Sequence, residues 1–180
     1  MVRIIVDCFG GDKSPGANVQ GAVNALKNNQ EIELILTGDE KLIGEELEKA
    51  GFDGDRLTVV HAPDVIGCDE KPTDAIRQKQ DSSMMKAVNM LREDDTLAGM
   101  VTTGSSGAIV AAGTLRIGRL KGVSRPGFCP IMPTMAGGIV AICDSGANVD
   151  CTPERLHQFA VMSSIYMECA FGIKTPRVAL

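Results

Sequence analysis

Short apolar runs alternate with segments of helical periodicity along most of this 180-residue chain. Apolar runs of strand length predict β-strands at residues 4–6, 32–36, 57–60, 97–102 and 139–143. Apolar residues at helical spacing predict helices at residues 16–28, 43–50, 84–91, 108–115 and 152–171. Residues 61–80 and 118–137 show neither pattern and are predicted to be loops, although Phe128 and Cys129 could begin a strand.

Alternating strands and helices predict an α/β fold, with a parallel or mostly parallel sheet covered by helices on both faces. We interpret residues 1–180 as a single α/β domain in which residues 139–143 form a buried strand. The last helix is apolar almost all round, which predicts burial in a large core or in a subunit interface. Residues 177–180 look like the opening of another strand, so we expect the N-terminal part of a longer protein.

Composition argues against several classes of function. Apolar residues make up 44% of the chain and charged residues 23%, as in ordinary globular proteins, and the net charge is −5. One Tyr, no Trp and no cluster of Lys and Arg argue against nucleic-acid binding. No apolar run approaches the ~20 residues of a membrane span, and Asp7 ends the first run too early for a signal peptide. We therefore expect a soluble, cytoplasmic protein.

The cysteines and histidines narrow the chemistry further. The six cysteines include no C-x-x-C pair, which favours reduced thiols in a core over a metal centre. Only His61 and His157 are available as histidine bases, and His157 falls in the middle of a predicted helix. Catalysis by histidine therefore has few candidates.

Glycines, hydroxyls and acids follow four of the predicted strands. The segments are Asp7–Asp12, Thr37–Asp39, Thr102–Gly107 and Asp144–Asn148. In open α/β sheets ligands bind beyond the carboxyl ends of the strands. Turn geometry alone explains any one of these loops, but four loops at one sheet edge favour a shared ligand site.

Two of the predicted helix starts are suited to an anion. The turn Gly104–Gly107 offers hydroxyls and free N–H groups, although Ser105 could equally be a simple helix cap. Arg77 and Lys79 precede the paired serines Ser82 and Ser83, although a solvated basic turn is an equal alternative. Neither G-x-G-x-x-G nor G-x-x-x-x-G-K-[ST] occurs, which argues against NAD enzymes and P-loop NTPases.

These segments together resemble the phosphate acyltransferase family of bacterial fatty acid and phospholipid synthesis. Val6–Asp12 is similar to its V-D-A-M-G-G-D opening, and Thr37–Asp39 to its second-strand motif. Further matches to family motifs lie at Pro72–Met84, Gly118–Pro126, Asp144–Asn148 and Pro153–Tyr166. The chain departs from the family pattern at Ser105, where asparagine is usual, and at Ser145 and Ser163.

The resemblance implies a three-layer α/β/α Rossmann-like sandwich, shared with phosphotransacetylase and isocitrate dehydrogenase-like enzymes. It implies that acyl-(acyl carrier protein) and inorganic phosphate react to give acyl phosphate, with no metal and no organic cofactor. A homodimer is implied, and membrane contact would come from a second part of the protein. The catalytic group stays unassigned. The candidate phosphate and substrate residues are Asp7, Gly10, Gly11, Asp12, Arg77, Lys79, Ser82, Ser83, Gly104, Ser105, Ser106, Gly107, Asp144 and Asn148.

Two other functions remain open from the sequence. A dehydrogenase of related fold would need a nucleotide site, which the motifs above do not supply. A folded fragment that only binds a partner or dimerises is the other alternative. A coding sequence that continues beyond Leu180 would favour the enzyme, and a stop codon there would favour the fragment.

Overall fold

The computed structural model describes residues 1–180, which form two compact units. The first unit is Met1–Gly118 and the second is Arg119–Leu180. The assignment of residues 1–180 to one α/β domain remains a prediction.

The first unit is built on a four-stranded parallel sheet. Its strands are β1 (Val2–Asp7), β2 (Ile32–Gly38), β3 (Leu57–His61) and β4 (Leu97–Val101), in the order β3-β2-β1-β4. Every neighbouring pair is parallel, so all carboxyl ends lie at the same sheet edge. The predicted α/β fold with a mostly parallel sheet is therefore confirmed.

Helices connect the strands, as the apolar periodicity predicted. The helices of this unit are α1 (Gly16–Asn28), α2 (Glu40–Lys49), α3 (Pro72–Gln78), α4 (Ser83–Glu93) and α5 (Ser106–Ala112). Helix α5 continues as a wider π-helical turn at Gly113–Ile117. Helix α3 falls within residues 61–80, so the prediction of an unstructured segment there was wrong. Only Ala75 and Ile76 of α3 are buried, which is too short an apolar pattern to reveal a helix.

Alternate residues of the central strands pack against helices on opposite faces of the sheet. On one face Leu34 and Leu36 of β2 pack in a cluster with residues of α1 and α2. On the other face Ile5 and Ile35 pack with Ala87 of α4. This alternation follows from the two-residue period of a strand and produces three layers.

The second unit contains an antiparallel hairpin and one long helix. Strands β5 (Ile131–Pro133) and β6 (Ile139–Ala141) pair with each other, and α6 spans Pro153–Phe171. The prediction of a buried strand at 139–143 was wrong, because β6 has three residues and exposes Ile139 and Val140. Strand β5 was not predicted, because the prolines Pro130 and Pro133 beside its apolar residues indicate a loop. The strand expected to begin at residues 177–180 is not present in the structure.

Helix α6 has the predicted extent but is less buried than its composition suggested. Only Phe159 and Met167 are buried within this chain, while Val161, Ile165 and Tyr166 are exposed. The prediction of burial on nearly all faces was therefore wrong for contacts inside the chain. Burial in a subunit interface remains a prediction. No helix of the structure combines the length and the apolar character needed to cross a bilayer.

We predict that the exposed side of α6 makes the chain associate, because a large exposed apolar patch normally marks an interface. Ile165→Glu should reduce association, measured by sedimentation velocity at several concentrations. Ile165 is 56% exposed, so this change should alter the free energy of unfolding by less than about 0.5 kcal/mol.

Phe159→Ala serves as the contrasting variant. Phe159 is 1% exposed, so its truncation should cost about 3–5 kcal/mol of stability whether or not the chain associates. A wild-type chain that sediments as a monomer at every concentration would contradict the predicted association.

Candidate functional site

A buried carboxylate connects the ends of two neighbouring strands. Asp7 ends β1 and is 1% exposed. Its Oδ1 accepts a hydrogen bond from the Phe9 N–H at 3.2 Å, and its Oδ2 accepts one from the Thr102 hydroxyl at 2.8 Å. The Thr102 Oγ1 in turn accepts from the Gly104 N–H at 3.0 Å. This chain of hydrogen bonds fixes the loop after β1 and the turn after β4 together.

The same two loops touch through glycine backbones. A Cβ on Gly10 would lie 2.4 Å from the Gly104 nitrogen and 2.7 Å from its Cα. Gly11 has a φ of +86°, and a Cβ there would lie 2.8 Å from the Thr103 Oγ1. Only glycine fits this contact without a shift of backbone, so the predicted residues Gly10, Gly11 and Gly104 do come together.

Asn18 holds the loop after β1 from inside helix α1, although no motif in the sequence indicated this role. Its Nδ2 donates to the carbonyl oxygens of Cys8 and Gly10, each at 3.0 Å. The Thr103 hydroxyl also donates to the Gly10 carbonyl. The sequence shows only that Asn18 is a polar residue in the first turn of α1, two residues after Gly16. Polar residues are common in helices, so this position did not stand out.

The end of β2 is joined to the start of α4. Thr37 is fully buried, and its hydroxyl donates to the Ser83 carbonyl at 3.0 Å. The next residue, Gly38, has a φ of +152°, and a Cβ there would overlap the Phe9 ring at 2.1 Å. The loop after β1 is thus packed against the end of β2 as well.

The paired serines Ser82 and Ser83 at the start of α4 make hydrogen bonds within the protein. Ser82 is the N-cap, and its Oγ accepts from the Met85 N–H at 3.4 Å. The Ser83 N–H donates to the Asp64 carbonyl at 3.1 Å. Both serines are buried, so their hydroxyls are not freely presented to solvent.

The turn before α5 divides its two serines between different environments. Ser105 is the N-cap of α5 and accepts from the Ala108 N–H at 3.3 Å, as the capping alternative predicted. Ser106 is exposed, and its hydroxyl makes no hydrogen bond within the chain. Gly107 packs on the start of α3, where a Cβ would lie 2.7 Å from the Pro72 Cγ.

The two predicted cations differ in their availability. The Lys79 Nζ lies 2.6 Å from the Glu70 Oε1 and donates to the Val65 carbonyl at 2.7 Å. The hydrogen bond from Lys79 to Glu70, together with one from the Gly67 N–H, lowers the pKa of the Glu70 carboxyl below its ordinary value. Arg77 lies exposed near the end of α3. Of the two, Arg77 is the cation without an acidic partner in the chain.

The remaining predicted site residues are Asp12 in the first unit, and Asp144 and Asn148 in the second. Asp12 is exposed after the glycine pair. In the second unit, Asp144 accepts from the N–H groups of Phe128 and Asn148, each at 2.6 Å, and the Asn148 Nδ2 donates to the Pro126 carbonyl. These bonds hold that loop in shape.

Cys8 lies beside the cluster at the sheet edge but is not a nucleophile at neutral pH. Burial, and secondarily the Asp7 charge, raises the pKa of the Cys8 thiol to about 12. A protonated thiol reacts slowly because the thiolate is the nucleophile. The hydrogen bonds around Asp7 therefore fix the loop after β1 and the turn before α5, and Cys8 offers no route to covalent catalysis there.

Comparison with known proteins identifies the family. A sequence profile described as "Fatty acid synthesis protein" matches residues 2–180. The chain belongs to this family. It is 43% identical over 179 residues to a phosphate acyltransferase of Halothermothrix orenii, covering 99% of this chain and 53% of that protein. Phosphate acyltransferases of Clostridioides difficile and Clostridium novyi are 42% and 45% identical over 179 residues, covering 99% of this chain and 52% and 53% of those proteins. The chain thus spans about half the length of these relatives.

We predict that Gly10→Ala destabilises the fold and separates the two loops. The new methyl group would meet the Gly104 backbone, which cannot rotate away, so we expect a loss of about 1–3 kcal/mol in unfolding by urea. Gly21→Ala in α1 is the matched control. Its Cβ meets no atom within 4 Å, so it should stabilise the helix by about 0.5–1 kcal/mol. Equal effects of the two substitutions would contradict the close contact.

Proposed function

We propose that this chain forms the phosphate-binding part of an acyltransferase that uses acyl-(acyl carrier protein) and inorganic phosphate. The observation that carries this proposal is the 42–45% identity to proteins named phosphate acyltransferase across almost the whole chain. Membership of the fatty acid synthesis family supports an acyl group as the unit transferred. The products would be acyl phosphate and free carrier protein.

The turn Gly104–Gly107 is the best candidate for holding phosphate. It includes the first residues of α5, which begins at Ser106, so the N–H groups of Ser106 and Gly107 lack partners within the helix, while Ser105 caps that of Ala108. The exposed Ser106 hydroxyl adds a donor at the same place. The hydrogen bonds from Asp7 through Thr102 to Gly104 keep this turn rigid before a ligand arrives.

The chemistry needs positioning more than it needs an acid or a base. A phosphate oxygen would attack the thioester carbonyl, the carbonyl oxygen would carry negative charge, and the carrier-protein thiolate would leave. Oriented N–H and O–H donors lower the barrier by holding phosphate and stabilising that charge. In this scheme Asp7 is a positioning residue, because both of its oxygens are occupied by protein donors.

Several parts of the scheme remain predictions. Arg77 would add charge to the phosphate site, whereas Lys79 would first have to leave Glu70. Asp144 and Asn148 belong to the second unit, and their part in binding is predicted only from the family motif. The homodimer and the membrane contact are expected from the whole protein. A dehydrogenase gains no support from any observation of this structure.

We predict that Ser106→Ala raises the KM for phosphate. The experiment joins this chain to the remaining half of the Halothermothrix orenii relative and follows phosphate-dependent loss of the acyl-carrier thioester. Loss of one hydrogen bond to a charged ligand costs about 1.5–3 kcal/mol, so KM should rise roughly 10- to 100-fold. The Ser106 hydroxyl has no partner in the chain, so the melting temperature should stay the same.

Two controls accompany this experiment. The 180-residue chain alone should show little or no turnover, because it spans only about half of its relatives. Thr73→Ala removes an exposed hydroxyl from α3 and should leave the KM unchanged. A fusion that binds the acyl carrier but loses thioester at a rate independent of phosphate would refute the proposed reaction. An unchanged KM in Ser106→Ala would remove Ser106 from the site.

A further inference from the structure

Two cysteines face each other across the hairpin of the second unit. The pairs Ile131–Ala141 and Met132–Val140 set the register, and the Ile142 N–H continues it by donating to the Pro130 carbonyl at 3.1 Å. The next hydrogen bond runs from the Ser145 N–H to the Phe128 carbonyl at 2.9 Å, so Cys129 lies opposite Cys143 and Asp144, with one extra residue on that strand. Residues opposite each other on antiparallel strands have Cα atoms about 4.5–5.5 Å apart.

That spacing is compatible with a disulfide. Disulfide-linked residues usually have Cα atoms about 4.4–6.8 Å apart. The side chains are also neighbours, since the Cys129 Sγ lies 3.7 Å from the Ser163 Oγ of α6, and both Cys129 and Ser163 influence the pKa of the Cys143 thiol. Both cysteines are half-buried, so small reagents can still reach them.

We propose that Cys129 and Cys143 form a redox-active dithiol that low-molecular-weight disulfides convert into an intramolecular disulfide. One thiolate attacks a sulfur of the reagent R–S–S–R, forms a mixed disulfide and releases R–S⁻. The second thiolate attacks the protein sulfur of that mixed disulfide and releases the second R–S⁻. The two cysteines lose two electrons and two protons in total, and the reagent is reduced to two R–SH.

The other cysteines lack this arrangement. Cys8 is buried with its pKa raised to about 12, and Cys68 and Cys169 are exposed without a neighbouring thiol. The Cys151 thiol donates to the Asn148 carbonyl at 3.8 Å. Only the pair across the hairpin can therefore complete the second attack without a change of fold. Burial also raises the pKa of the Cys143 thiol, so bridge formation should speed up as pH rises above neutral.

The test uses the whole 180-residue chain and oxidised glutathione at neutral pH. Free thiols are first blocked with an alkylating reagent. The chain is then digested with trypsin and with a protease that cleaves before aspartate, which cuts between Cys143 and Asp144. This separates a peptide holding Cys129 and Cys143 from the one holding Cys151. We expect the first peptide to lose two hydrogen atoms and carry no label, whereas Cys68 and Cys169 each carry a single glutathione adduct.

Two kinds of variant keep the result decisive. Cys129→Ser and Cys143→Ser should each abolish the bridge and leave a stable mixed disulfide on the remaining cysteine. Cys169→Ser is the matched control and should leave the bridge unchanged. The proposal is overturned if Cys129 and Cys143 end as two separate glutathione adducts. It is equally overturned if the bridge forms no faster in the folded chain than in urea.

Discussion

The Asp7 carboxylate is the interaction on which the functional edge of the sheet depends. An ionised group this buried is costly unless both oxygens have donors, and here the Phe9 N–H and the Thr102 hydroxyl supply them. Because Phe9 follows β1 and Thr102 follows β4, satisfying one charge forces two strand ends into a single arrangement. The Gly104 N–H extends that arrangement into the turn before α5.

The glycines have a role that follows from this constraint. Once Asp7 has drawn the two loops together, their backbones are in van der Waals contact at Gly10 and Gly104, and no side chain fits between them. The turn after Gly104 leads into the start of α5, where the N–H groups of Ser106 and Gly107 have no partner within the helix. Under the proposed function, phosphate would bind donors that are fixed before it arrives.

The sequence revealed the first unit far better than the second. The periodicity of residues such as Val19 and Leu26 identified helices that bury one face, and the strand runs identified a parallel sheet. The short helix α3 and strand β5 carry too few apolar positions to be recognised, and the strand predicted at residues 139–143 is shorter and more exposed than expected. At the site, the glycines and Asp7 could be found from their place after strands. Asn18 and the ion pair of Lys79 with Glu70 depend on contacts between distant segments, which no local pattern records.

A double-mutant cycle between Asp7→Asn and Thr102→Val measures the central constraint directly. Unfolding by urea gives the stability of the two single variants, the double variant and the wild-type chain, with Thr73→Val as an exposed threonine control. Removing either partner leaves a buried polar group unsatisfied, so we expect a coupling energy of at least about 1 kcal/mol for Asp7 with Thr102. The coupling of Asp7 with Thr73 should be close to zero. Additive effects for Asp7 and Thr102 would contradict the account.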